Sequence, residues 1–268
     1  MMRFICFGSG SSGNCYYLYT ENTGMLIDSG IGIRAMKKYF RDRELPFRHI
    51  SHILVTHDHA DHVKSVGAVS SELGVPVHAT EGVHLGIYQN YVVRAKVATQ
   101  NIRIIEKNEE YVFGDFVVRA FSVPHDSRDN VGYSVKCGDV TFVLMTDVGY
   151  VTDEMKGYIS DANYLVIEAN HDKEMLRTGH YPDFLKTRVA GPTGHLSNAE
   201  CAEAIAENCT EKLRHVWLCH LSEENNHPEL ARKTVQTVLA RYGIIADKDF
   251  RVEVLKRRTP SQNYELKI

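Results

Sequence analysis

The order of apolar runs and chain breakers predicts an α/β fold, a four-layer αββα sandwich with two sheets face to face and helices on both outer surfaces. Three observations carry this prediction. The first third reads as a hairpin feeding into β-α-β alternation, the middle third is a series of short strands joined by Gly-Asp turns, and the last third returns to alternation. No linker, low-complexity tract or repeat interrupts the 268 residues, so residues 1–268 are expected to form a single domain.

Taken in order, strands are expected over Arg3 to Phe7, Cys15 to Tyr19 and Met25 to Ile27. A Gly/Ser loop from Gly8 to Gly13 and a turn at Glu21-Asn22-Thr23-Gly24 separate them. A helix from Ile33 to Arg41, a strand from His52 to Val55 and a helix from Asp61 to Leu73 follow. The middle strands, Glu110 to Phe113, Phe116 to Val123, Val131 to Cys137 and Val140 to Met145, are punctuated by Gly114-Asp115 and Gly138-Asp139, residues suited to tight turns. The final third reads strand Tyr164 to Glu168, helix Asn198 to Asn208, strand His215 to Cys219, helix Pro228 to Tyr242 and strand Phe250 to Leu255. Ser197 and Glu200 have capping-box spacing, and Pro228 suits a first helical position.

Hydrophobic content of 43% with 24% charged residues is enough for a core and excludes a disordered chain. The longest apolar runs fall far short of the ~20 residues that span a bilayer, so no membrane helix is expected. The apolar start before Gly8 is too short for the central region of a signal peptide. Six cysteines without a C-x-x-C pair read as reduced and mostly buried, which points to the cytoplasm. A net charge of −3 argues against a globally basic nucleic-acid binder. Lys256-Arg257-Arg258, Lys186 with Arg188, and Arg41, Arg43 and Arg48 could still line one face, although each alone reads as a solvated charge.

The densest chemistry lies in Thr56-His57-Asp58-His59-Ala60-Asp61-His62, directly after the apolar Ile53-Leu54-Val55. Imidazoles and carboxylates in one strand-to-helix turn offer the nitrogen and oxygen donors that divalent metals take, enough for two ions. Asp58, flanked by two converging histidines, is expected to point away.

This H-x-H-x-D-H order resembles the metallo-β-lactamase superfamily signature. The resemblance implies further ligands after later apolar strands, where Pro124-His125-Asp126, Thr146-Asp147 and His220 stand. It implies that His57, His59 and His125 hold one metal, that Asp61, His62 and His220 hold the other, and that Asp147 bridges them. It also implies that Asp28, in Leu26-Ile27-Asp28-Ser29-Gly30, supports the metal loop through hydrogen bonds. Ions about 3.5–4 Å apart can lower the pKa of a bridging water until hydroxide forms at neutral pH, the expected nucleophile. Zinc and manganese fit these donors best, and iron is compatible.

Glu168, the Gly194-His195-Leu196-Ser197 element and the serine after His220 are similar to tRNase Z-type phosphodiesterases. There, by resemblance, His195 aids departure of the alkoxide and Glu168 orients it. Over nearly the whole chain, Gly8-Ser9-Gly10-Ser11-Ser12-Gly13-Asn14, the histidine motif, His171 to Pro182 and Gly194 to Asn198 resemble the YycJ/WalJ group of bacterial metallo-β-lactamase-fold proteins. This implies a metal-dependent exonuclease acting on DNA from the 5′ end. The chain lacks the long glycine-rich arm of tRNase Z enzymes and the large insertion of β-CASP nucleases, so their substrate handling does not carry over. Ser11, Ser12, Gly13 and Asn14 could bind phosphate through backbone N–H groups, although a hairpin turn explains them nearly as well. Asp61 is expected to be catalytic with Glu168 and His195, so that Asp61→Ala loses nuclease activity where an exposed lysine change does not. Two other functions use the same residues: a small-molecule hydrolase of hydroxyacyl-thioesters or cyclic phosphodiesters, and a non-catalytic module stabilised by metal.

Overall fold

A computed structural model describes residues 1–267. Strands β1 (Met2–Gly8), β2 (Cys15–Tyr19) and β3 (Gly24–Ile27) lead into α1 (Ile33–Arg41), β4 (Ile50–Leu54), α2 (Ala60–Val63), α3 (Val66–Leu73), β5 (Val77–Ala79), α4 (Glu81–Gln89) and β6 (Ile102–Ile104). The middle supplies β7 (Glu110–Phe113), β8 (Phe116–Ser122), β9 (Val131–Cys137) and β10 (Val140–Met145). Then come α5 (Asp153–Asp161), β11 (Tyr164–Glu168), α6 (Lys173–Thr178), α7 (Asp183–Val189), α8 (Asn198–Asn208), β12 (His215–Cys219), α9 (Pro228–Arg241), β13 (Arg251–Val254) and β14 (Tyr264–Leu266).

These strands form two seven-stranded sheets, in the orders β14-β1-β2-β3-β4-β5-β6 and β13-β12-β11-β10-β9-β8-β7. In the first, pairing is antiparallel from β14 to β3 and parallel from β3 to β6. The second repeats the pattern, antiparallel from β7 to β10 and parallel from β10 to β13. Strand alternation sorts the side chains. Phe4 and Cys6 of β1 face a central core with Phe142, Val166 and Trp217 of the second sheet, whereas Ile5 and Phe7 face an outer core with Met36, Phe40 and Val69 of α1 and α3. A third core packs α5, α8 and α9 on the second sheet through Ile159, Ile205, Val235 and Leu239. This is the αββα order expected. All six cysteines are free, and among the described residues no helix is long and apolar enough to cross a membrane.

Two differences from the sequence reading matter for the site. The helix expected from Asp61 to Leu73 is broken into α2 and α3 because its own hydrogen bond is taken elsewhere. The Asp61 carbonyl accepts the Asn14 N–H at 2.7 Å, and the Ser65 N–H that would reach back to it donates to the Ser29 carbonyl at 2.8 Å. The break ties the metal-motif turn to the Gly/Ser loop and to the residues after β3. The second difference is content: β5, α4, β6, α5, α6, α7 and β14 add elements to those expected. The capping box stands as expected, Ser197 Oγ accepting the Glu200 N–H while the Glu200 carboxylate accepts the Ser197 N–H.

Gly30 sits so tightly on the Asp61 carbonyl that a Cβ there would overlap it. Gly30→Ala is therefore expected to cost roughly 1–3 kcal/mol, as overpacking does. A urea unfolding midpoint equal to wild type would contradict this packing.

Candidate metal centre

Three turn residues that follow strands hold a left-handed backbone: Asp28 after β3 (φ 62°), Asp147 shortly after β10 (φ 55°) and His220 after β12 (φ 51°). Such backbone costs on the order of 1–3 kcal/mol each and persists only where the surroundings fix it. Here they do. The Asp28 N–H donates to the Leu54 carbonyl at 2.9 Å, the Asn130 side-chain amide donates to the Asp147 carbonyl at 2.9 Å, and His220 is held at both ends. Its N–H donates to Ser9 Oγ and its carbonyl accepts from the Asn170 amide, each at 2.9 Å. The bends at Asp147 and His220 bring their side chains into one cluster of donors, and the bend at Asp28 sets its carboxylate behind that cluster, against His62 and Thr56.

Four groups of potential donors meet there, each with its ligand atoms within 4.8 Å of one another: His57, His59, His125; His57, His62, Asp147; Asp61, His62, His220; and Asp147, Glu168, His195, His220. All the residues implied by the sequence resemblance are brought together. Asp147 lies between the two histidine sets, its Oδ2 3.2 Å from His62 Nε2 and its Oδ1 3.6 Å from His125 Nε2.

A hydrogen-bond network behind the histidines sets which nitrogen is left for a ligand. His62 Nδ1 donates to Asp28 Oδ2 at 2.7 Å, which turns Nε2 toward Asp61, Asp147 and the Asn14 amide. His57 Nδ1 donates to Thr56 Oγ1 at 3.0 Å, and that hydroxyl donates in turn to Asp28. His125 Nδ1 donates to the Gly194 carbonyl at 3.1 Å, and its Nε2 lies 3.4 Å from His59 Nδ1. Burial, reinforced by the neighbouring His62, pushes His57 well below the ordinary imidazole pKa. Its buried Nε2 has no hydrogen-bond partner. A buried lone pair with no donor is costly unless something else occupies it, and a divalent cation fits this donor set.

Glu168, at the end of β11, joins this cluster to His195. Its Oε1 accepts from His220 Nδ1 at 2.8 Å and from His195 Nδ1 at 2.9 Å. Its Oε2 accepts the Val148 N–H at 2.8 Å and the Leu196 N–H at 3.2 Å. Burial alone would raise this carboxyl, but the His195 imidazole and the hydrogen bonds from His195 and His220 outweigh it and bring the pKa down to about 2. Glu168 is thus an anion committed to four donors. His195 is pulled the other way: burial lowers it, yet Glu168 and Asp147 raise it above the ordinary value. With Ser11, Tyr181, Arg188, His220 and Ser222 it lines a cavity of about 170 Å³.

The remaining sequence candidates divide. Asp58 belongs to none of the donor groups; its side chain lies over Gly86 of α4, where no Cβ stands in the way. Ser11 and Ser12 are exposed, whereas Gly13 and Asn14 are buried. The Asn14 amide is turned into the metal loop, 2.9 Å from His62 Nε2 and 3.2 Å from Asp61 Oδ2. Thr56 is the residue that sequence reasoning missed. Its signal was its place as the buried polar residue between the strand and His57.

A buried cluster of histidines and carboxylates at the ends of two sheets in an αββα sandwich defines a metal-dependent hydrolase. The Beta-lactamase superfamily domain matches residues 23–220, and the chain belongs to that superfamily. It is 35% identical over 261 residues to exodeoxyribonuclease YycJ of Bacillus anthracis, covering 97% of this chain and 98% of that one. It is also 35% identical over 250 residues to exodeoxyribonuclease WalJ of Streptococcus pneumoniae, with 93% of each covered. Among solved structures, Zn²⁺-bound PqqB from Methylobacterium extorquens shares the fold, with a TM-score of 0.70 at 17% identity over 97% of this chain and 99% of that one.

Thr56→Val keeps the shape of the side chain but removes the link from His57 to Asp28. Losing a hydrogen-bonding partner behind a ligand costs about 10–100-fold in metal affinity. That loss is expected in competition with a chromogenic chelator, and an unchanged affinity would show that the link does not orient the ligand.

Proposed function

We propose that this protein is a two-metal phosphodiesterase that degrades DNA from the 5′ end. The observation that carries the reading is the single Glu168 oxygen shared by His220 and His195. A metal ligand and a proton donor held by one buried carboxylate suit a reaction in which a poor leaving group must be protonated as the phosphorus is attacked. An alkoxide needs such a donor more than a thiolate does. The 35% identity to proteins named exodeoxyribonucleases, over almost the full length of each, supports DNA as the substrate.

In this reading His57, His59 and His125 hold one ion, Asp61, His62 and His220 the other, and Asp147 is shared. Two divalent ions held by these residues, zinc or manganese and with iron compatible, would supply an activated water and Lewis acidity at the phosphate. The chain's own residues do the rest. Asp28 and Thr56 lock the histidine tautomers. Glu168 keeps His195 protonated and oriented, and His195 delivers its proton to the departing 3′ oxygen. Ser11, which lines the cavity at His195, and the exposed Ser12 are the members of the Gly/Ser loop free to contact a phosphate, since Asn14 is engaged with the metal loop.

A time course on end-labelled, 5′-phosphorylated duplex DNA with manganese or zinc, run beside His59→Ala, tests this directly. Metal-dependent release from the 5′ end, lost in the variant, is expected. Intact DNA with a fully metallated protein would overturn the proposal in favour of a small-molecule hydrolase. His195→Ala is expected to slow cleavage by roughly 10²–10⁴-fold, the usual worth of a general acid, with metal content unchanged. A rate within twofold of wild type would remove His195 from the chemistry.

A further inference from the structure

Several cations that stand out in the sequence are engaged and do not form one free face. Arg188 pairs with Asp126, Arg258 with Glu223 and Arg41 with Asp42. Arg257 donates to the Leu221 and Ser222 carbonyls, Arg43 to the Ser261 carbonyl and Lys186 to the Arg177 carbonyl. A different set is free. The side chains of Arg34 in α1, Lys64 at the end of α2 and Arg94 after α4 form no ion pair or hydrogen bond among the described residues, and all three line one open groove. No carboxylate lines it.

The same groove is lined by Tyr91, which exposes 92% of its surface, and Tyr88 at the end of α4 exposes 70%. Rings left this bare contribute little to packing, and a ring beside unpaired cations is the combination that holds nucleic-acid strands: phosphates on the charges, bases on the ring. In a chain of net charge −3, three cations in one groove with no carboxylate in its lining concentrate positive potential there.

The groove is fixed to the metal loop. Lys64 lies one helical turn beyond Asp61, and Ser65, also in the lining, donates its N–H to Ser29 beside Asp28. On the far wall, the Asn90 amide donates to the Asp58 carbonyl, between His57 and His59, at 2.8 Å, and Ala95 packs on Gly67 of α3. A strand lying in this groove is therefore held in a constant relation to the metal cluster.

We propose that this groove is a second binding site for the substrate, gripping single-stranded DNA away from the scissile bond, with phosphates on Arg34, Lys64 and Arg94 and a base on Tyr91. The proposal rests on reading the metal site as one that acts on DNA. It gives the enzyme a hold on the polymer that the cavity at His195 does not provide.

The test is fluorescence anisotropy with a labelled 20-nucleotide single strand in EDTA, over a salt series, for wild type, Arg34→Ala/Arg94→Ala, Tyr91→Ala and, as a control, Lys233→Ala/Lys248→Ala, which removes two exposed lysines outside the groove. Lys64 is left intact because it lies only two residues from His62 in the metal loop. Removing two phosphate contacts should weaken binding about tenfold and reduce the slope of log K against log salt by about 1.4, at ~0.7 per contact. Tyr91→Ala should weaken binding fivefold or more and leave the slope unchanged, as loss of a stacked base does. Hydrolysis of bis-p-nitrophenyl phosphate by the metal-loaded variants should match wild type, which also reports an intact fold. Equal affinity and slope in the double variant, or an equal loss in the control, would overturn the groove. Tight binding by wild type without cleavage would instead sink the nuclease reading and leave the groove standing, whereas cleavage with unaffected groove variants would do the reverse.

Discussion

The site depends on a carboxylate shut off entirely from the solvent surface. Glu168 keeps its charge only because two imidazole N–H groups and two backbone N–H groups converge on it. Those four donors come from three different places: the segment after β10, the turn before α8 and the residue after β12. One desolvated charge therefore sets the relative positions of three connections. The same carboxylate fixes a tautomer at His220 and a proton at His195, so packing and chemistry are not separable here.

The other sheet repeats the solution with different atoms. Asp28, at the end of β3, accepts from His62 and from the Thr56 backbone and hydroxyl, and through that hydroxyl it governs His57. Each sheet thus contributes one fully buried carboxylate that binds no metal in our reading but orients two histidines. The left-handed backbone at Asp28, Asp147 and His220 is what lets strands that end in the hydrophobic layers turn their next side chain toward the cluster. Conformational strain is spent where strands hand over to the site, and hydrogen bonds to Leu54, Asn130, Ser9 and Asn170 hold it in place.

Much of this was legible in the sequence, for a physical reason. Strands buried on both faces read as unbroken apolar runs, so Ile53-Leu54-Val55 or Val140 to Met145 stand out, and a polar residue directly after such a run is conspicuous. That logic marked His57; joined to the resemblance to the metallo-β-lactamase signature it pointed to His125, Asp147 and His220, and the likeness to tRNase Z-type enzymes added Glu168. It failed where hydrogen bonds ran between distant segments. Nothing in the pattern from Asp61 to Leu73 signals that the Asp61 carbonyl is taken by Asn14, so a broken helix read as a continuous one. Asn14, read with a phosphate loop, is instead turned into the metal loop, and Thr56 gave too little signal beside its histidine neighbours. β5 and β6, at three residues each, are too short for periodicity to register.

The claim at the centre of this account is that one carboxylate serves both the second metal and the proton donor. Glu168→Gln tests it, because a neutral amide whose oxygen keeps the two backbone N–H groups must turn its own N–H groups toward His195 and His220. The measurement is a metal titration by calorimetry of wild type and Glu168→Gln. Wild type should show two binding events, and the variant a first event of unchanged affinity with a second weakened about 10–100-fold. Two events of wild-type affinity in the variant would contradict it.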